Sequence, residues 1–186
     1  MGEPGTHDYR TVASREVFDG RVVRLRVDTV SMPGGGTADR EICGHDDAVA
    51  VVAIDSQDRI VLVRQYRHAV GQRLWELPAG LCDIEGEDPL DTARRELVEE
   101  TGLEADQWRA GIRIAPSPGF CTEQVQLYLA TGLREVTRPA VQHEEADMEI
   151  TRIPFADAVD AVLDGRIVNG IAVAGILAAR AQPARS

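Results

Sequence analysis

The sequence predicts an α+β fold, an α/β/α sandwich built on a mixed sheet with a small β region at its N-terminus. Three observations carry that expectation. Apolar and β-branched runs bounded by turn residues recur along the chain, a capped amphipathic helix begins near residue 88, and two further stretches near the C-terminus show helical spacing. The 186 residues, 44% of them apolar, suffice for one compact core.

Residues 1–14 are polar and show no clear period, so strand character is expected first at Val23, Leu25 and Val27, which alternate with Arg24 and Arg26. Met32-Pro-Gly-Gly-Gly-Thr37 reads as a turn, and Asp39–Gly44 resumes as a strand. Ala48–Ile54 and Ile60–Tyr66, separated by the polar turn Asp55–Arg59, read as a buried hairpin. Beyond Leu74–Gly80 and an acidic loop, Asp88 and Pro89 form a cap and first-turn pair for a helix running to Thr101, with Gly102 placed to stop it. Trp108–Ile114 and Val125–Ala130 read as strands around the turn-rich Ser117–Thr122. One late helix begins near Pro154, with Phe155, Ala158, Val159 and Val162 on one face, and another covers Asn169–Ala181.

A formal net charge of -11 argues against general nucleic-acid binding, which requires clustered cations. Cys43, Cys82 and Cys121 lack disulfide-framework or zinc spacing, which fits a reducing, cytoplasmic location. The N-terminus has no signal-peptide pattern, and the apolar stretch Ile167–Ala179, interrupted by Asn169, falls short of the roughly 20 residues of a membrane span.

The chemistry concentrates in Arg95-Glu-Leu-Val-Glu-Glu-Thr-Gly-Leu103, where Glu96, Glu99 and Glu100 fall at i, i+3 and i+4 of one helix. Three carboxylates on one face repel one another, and a bound divalent cation relieves that conflict. Hard oxygen donors suit Mg2+ or Mn2+. A bare ExxEE is more often a solvated acidic face, so the surrounding residues decide its meaning.

Those surroundings resemble the Nudix box: Glu87, Arg95, Glu96, Leu97, Glu99, Glu100, Gly102 and Leu103 match its pattern in register. The box expects glycine where Leu81 stands. The nearest glycine is Gly80, which makes the first spacer one residue longer and leaves the role of Glu87 open. The resemblance implies metal binding by Glu96 and Glu100 with the main-chain carbonyl of Ala79, Glu99 at the same metal-facing site, and Arg95 orienting the carboxylates. It also implies that Pro78 and Gly80 shape the loop that aims that carbonyl.

Within that family, Pro118 stands fifteen residues after Leu103. Together with Gln65–His68 (QYRH), Leu74–Gly80 (LWELPAG), Pro118–Phe120 (PGF) and His143–Met148 (HEEADM), it is similar to the ADP-ribose pyrophosphatase branch. The resemblance implies hydrolysis of ADP-ribose to AMP and ribose 5-phosphate, with Arg67 and Pro118 contacting substrate. It makes Glu145 the first candidate for general base and Glu144 the second. It further implies a homodimer in which strands of residues 1–46 are exchanged over a hydrolase domain of residues 47–186, with Arg40 lent to the partner's site. The rival readings are a sugar-nucleotide pyrophosphatase acting on GDP-mannose or an ADP-sugar, and a non-catalytic ligand sensor of the same family. An acidic Ca2+ scaffold would require the twelve-residue calcium loop, which the chain lacks.

Overall fold

The computed structural model describes residues 5–139 and 147–181. They form two compact units, residues 5–47 with Ala115–Glu123, and Ala48–Ile114 with the described residues from Gln124 on.

The first unit is a 3-stranded antiparallel sheet of β1 (Thr11–Asp19), β2 (Arg24–Ser31) and β3 (Thr37–Gly44), in that order. Of the expected alternation at Val23–Val27, Leu25 and Val27 lie in β2 and Val23 just before it, while β1 begins within the stretch 1–14 that shows no period and runs beyond it. All of its residues are exposed, so no buried face imposes alternation on it. Between β2 and β3 the glycines do what the turn requires: Gly35 and Gly36 adopt φ of 85° and 75°, and the Gly35 N–H donates to the Met32 carbonyl at 3.0 Å. Residues 115–123 join this unit through β3. Cys43 donates its N–H to the Phe120 carbonyl (2.7 Å) and accepts from the Thr122 N–H (3.0 Å), which makes Cys43 and Cys121 parallel bridge partners.

In the second unit, β4 (Ala48–Ala53) is buried throughout and β5 (Arg59–Arg67) is buried over Ile60–Val63, where its apolar run lies, while Tyr66 and Arg67 are exposed. They do not form the expected hairpin; only Ile54 and Ile60 form a bridge. Each is instead a central strand of its own sheet. β4 lies between β7 (Ala79–Leu81) and β9 (Val125–Glu135), in a 4-stranded mixed sheet completed by β8 (Leu103–Ile114). β5 lies between β6 (Gln72–Glu76) and β10 (Glu149–Pro154). A strand flanked on both sides exhausts its ladder, so two successive buried runs need not pair with each other.

The faces of β4 define the layers. Val49, Val51 and Ala53 pack with Ala93 and Leu97 of α1 (Pro89–Thr101). Ala48, Ala50 and Val52 share the opposite cluster with α2 (Phe155–Leu163) and α3 (Gly170–Ala181), through Phe155, Ala158, Ala172 and Ile176. Period-2 alternation thus places helices on both sides of the mixed sheet, the α+β sandwich the sequence predicts. Gly175 lets α3 approach closely, since a Cβ there would lie 2.5 Å from Leu77 Cδ1. Among the described residues no helix is long and apolar enough to cross a membrane.

Candidate active site

Helix α1 begins and ends as its sequence dictates. Asp88 Oδ1 accepts the Leu90 N–H at 2.8 Å, Pro89 occupies the first turn, and Gly102 closes the helix at φ 68° with its N–H on the Val98 carbonyl. Leu97 and Ala93 turn fully inward onto β4. That anchorage fixes the helix rotation, and with it the face bearing the glutamates.

Arg95 is the hub of that face. Its Nε and Nη2 reach the two oxygens of Glu87 at 3.3 and 3.1 Å, while Nη1 reaches Glu96 Oε1 at 2.6 Å and Glu99 Oε2 at 3.1 Å. The fully buried Thr92 donates its hydroxyl to Glu87 Oε2 at 2.8 Å. Arg95 first, and then Thr92, hold Glu87 below the usual carboxylate range. In return Glu87, ahead of Glu96 and Glu99, raises the Arg95 pKa. The one-residue-longer spacer therefore leaves Glu87 with a defined place, as the bidentate partner of Arg95.

Glu96 and Glu100 close on the short strand β7. Glu100, only 6% exposed, accepts the Ala79 N–H at 3.0 Å. A Cβ built on Gly80 would fall inside the Glu96 carboxyl group. Gly80 thus serves by close approach within a strand, not by turning a loop: its φ is not positive, and β7 pairs with β4 through Gly80 and Val49. Among the described residues no group of three or more His, Cys, Asp or Glu stands ready-made around one cation position. Protein donors hold the carboxylates, Glu96 and Glu99 on Arg95 and Glu100 on Ala79. The donor set nevertheless fits a hard divalent ion, because two acidic side chains meet the main chain of adjacent residues, Glu100 at Ala79 and Glu96 at Gly80, which has no room for a Cβ.

Arg67, at the end of β5, forks onto Glu76, with Nε to Oε1 at 2.9 Å and Nη2 to Oε2 at 2.7 Å. Glu76 is 3% exposed, a buried acid in a strand, and lies inside the Leu74–Gly80 motif, whose reading gave it no role. The available signal was a charge set between Trp75 and Leu77 in an otherwise apolar turn of sequence. Thr92 and Arg138 were passed over too. Arg138 Nε donates to the Glu99 carbonyl at 2.8 Å across 39 residues, a separation no motif spans.

Arg40 and Pro118 belong to the first unit. Arg40 is exposed on β3, with Nη1 on the Asp39 carbonyl at 2.9 Å. Pro118 follows Ser117, whose carbonyl accepts the Phe120 and Cys121 N–H groups at 3.2 and 2.9 Å, a turn of the kind the sequence suggests. Glu144 and Glu145 lie outside the described residues.

A family model described as NUDIX domain matches residues 44–169, over the whole of this carboxylate face. The chain belongs to the NUDIX family. A second model, described as nucleoside diphosphate sugar hydrolase N-terminal domain, matches residues 9–42 of this NUDIX protein. An ADP-ribose pyrophosphatase of Mycobacterium tuberculosis is 53% identical over 94% of the chain and 84% of its own length. A methanol dehydrogenase activator of Bacillus methanolicus is 40% identical over 90% of each chain. The crystal structure of an ADP compounds hydrolase superposes with a TM-score of 0.81 at 20% identity, covering 94% of this chain and 93% of its own, and so shares the fold.

Proposed function

We propose that this NUDIX protein hydrolyses the pyrophosphate of ADP-ribose to AMP and ribose 5-phosphate, with Mg2+ or Mn2+ held by Glu96, Glu99 and Glu100 and the main chain at Ala79. The observation that carries the reading is the convergence of Glu96 and Glu100 on Ala79–Gly80, on a helix whose arginine is locked by Glu87. The relative that is 53% identical supports ADP-ribose as substrate. A bound divalent ion neutralises pyrophosphate charge and lowers the pKa of an attacking water.

The chain's own residues supply the remainder. Arg95 orients the carboxylates. Glu76 aligns the Arg67 guanidinium, which binds substrate phosphate through the donors that alignment directs outward. Glu145, or failing it Glu144, accepts the proton of the attacking water. Pro118 shapes the turn that meets the nucleoside portion. A homodimer with Arg40 lent across the interface is supported by β1, whose residues are all exposed, among them Val12, Val17 and Phe18. Three free cysteines support a cytoplasmic setting. The second reading, a sugar-nucleotide pyrophosphatase, rests on the fact that the carboxylate helix addresses the pyrophosphate, which such substrates share.

The test is release of nucleoside monophosphate from ADP-ribose, GDP-mannose, NADH and diadenosine polyphosphates, with Mg2+, Mn2+ or chelator, for the native chain and Glu100→Gln. Metal-dependent preference for ADP-ribose, lost in the variant, is the expected result. Preference for GDP-mannose would transfer the assignment to the second reading, and inertness toward the whole panel would overturn both.

A further inference from the structure

Cys43 and Cys121 stand far apart in sequence, and their spacing predicts no pairing, yet the fold sets them side by side. Both belong to the first unit. Cys43 lies near the end of β3, and Cys121 is its parallel bridge partner. Neighbouring strands run about 4.8 Å apart, which places bridge partners inside the window of about 4.4–6.8 Å between Cα atoms that a disulfide spans. Their side chains meet as hydrogen-bond partners. Both cysteines are free and half-buried, so the pair is within reach of a small solute.

The register of this pair is fixed on both flanks. The Cys121 N–H donates to the Ser117 carbonyl at 2.9 Å, closing the turn that carries Pro118. Beyond Cys43, the His45 N–H donates to Thr122 Oγ1 at 3.1 Å, and His45 Nδ1 stands 3.7 Å from Glu123 Oε1. Joining the two sulfurs therefore requires no large movement of the backbone. The same neighbourhood does not make a metal site. Among the described residues no group of three or more His, Cys, Asp or Glu surrounds one ion position, and His45 Nδ1 faces the Asp46 carbonyl at 2.8 Å.

We propose that Cys43 and Cys121 form a reversible dithiol–disulfide site that reacts with low-molecular-weight disulfides and, once oxidised, clasps residues 115–123 to β3. Burial first, and then the neighbouring Cys121, push the Cys43 thiol up, so Cys43 keeps its proton and Cys121 attacks first. The Cys121 thiolate attacks one sulfur of the small disulfide, whose S–S bond breaks, releasing one thiolate and leaving a mixed disulfide on Cys121. Cys43 then gives up its proton, and its sulfur attacks that of Cys121 and expels the second small thiolate. The cysteine pair loses two electrons, the small disulfide gains them, and the two cysteine protons end on the two released thiols. A bond of this kind in a reducing compartment is transient and reports the redox state around it.

The experiment treats the folded Cys82→Ser chain, in which Cys43 and Cys121 are the two remaining thiols, with glutathione disulfide. Intact mass, free thiols, peptide map and Tm are read before and after dithiothreitol. The expected result is a loss of two hydrogens per chain, no free thiol, a peptide joining Cys43 to Cys121, and a Tm higher by about 5–10 °C, all reversed by dithiothreitol. In the same background Cys43→Ser should keep a glutathionyl group on Cys121, because the resolving thiol is gone, and Cys121→Ser should react about tenfold more slowly. Should a serine variant fail to fold, alanine at that position carries the same comparison. Survival of both thiols, a glutathionyl group that persists on Cys121 while Cys43 is present, a bridge between two chains, or a Tm that does not rise overturns the proposal.

Discussion

Gly80 shows how one missing side chain organises a site. Its backbone lies where a Cβ would displace the Glu96 carboxylate, so Gly80→Ala should fold normally yet weaken metal binding by about 10- to 100-fold. A titration of activity against Mg2+ reads this directly, and unchanged Mg2+ dependence would show that Glu96 does not need its present position. The neighbouring Glu87 makes a prediction in pH. Its folded pKa is depressed by Arg95 and Thr92, so its contribution to stability is complete above the ordinary carboxylate value of about 4.3 and fades as pH falls through the lower folded value. Glu87→Gln should therefore lower Tm at neutral pH, and the gap from the native chain should close in acid. A gap that stays constant down to pH ~3 would dissociate Glu87 from that linkage. The carboxylate spacing was legible because 3.6-residue geometry translates sequence separation directly into a shared face. The Arg67–Glu76 fork was not, because it joins residues of paired strands that are not even opposite each other, Arg67 facing Gln72 and Glu76 facing Val63, a relation no local pattern encodes.

Legibility at the scale of elements follows how local each element's determinants are. Helix α1 could be bounded almost to the residue since Asp88, Pro89 and Gly102 act within a turn of their own positions. By contrast, the valine-rich β4 and β5 announce burial but not partners, and the same runs suit a hairpin or two separate sheet centres. Strand β10 was missed because Glu149–Pro154 is short and half exposed, and takes its strand conformation from the β5 edge beside it. The docking of α3 is a matter of volume. Gly175→Val would press two methyls toward Leu77 Cδ1 and Val52 Cγ2, now 2.5 and 3.2 Å from where a Cβ would stand. It should cost about 1–3 kcal/mol by overpacking, measurable by urea unfolding. An unchanged midpoint would mean that α3 shifts without penalty.

For the whole molecule, the open question is what covers β1. Its apolar residues, Val12 at 60%, Val17 at 48% and Phe18 at 56% exposed, are more than an isolated edge strand ordinarily presents to water. Light scattering should give twice the 20.2 kDa chain mass, and Val17→Glu should shift the population toward monomer with a parallel loss of activity. A native monomer at micromolar concentration would remove the exchanged dimer and the lent Arg40.

Residues 115–123 carry a consequence for how such a protein can be altered by recombination. The two family models divide the chain between residues 42 and 44, as if the N-terminal sheet were a detachable cassette. Yet the Phe120 carbonyl and Thr122 N–H complete the ladder of β3 from deep within the stretch assigned to the other module. The two modules are therefore threaded through each other in sequence. A swap of N-terminal sheets between relatives that leaves residues 115–123 behind separates β3 from its own last strand partner, so inheritance of the sheet and of that internal stretch should be joint.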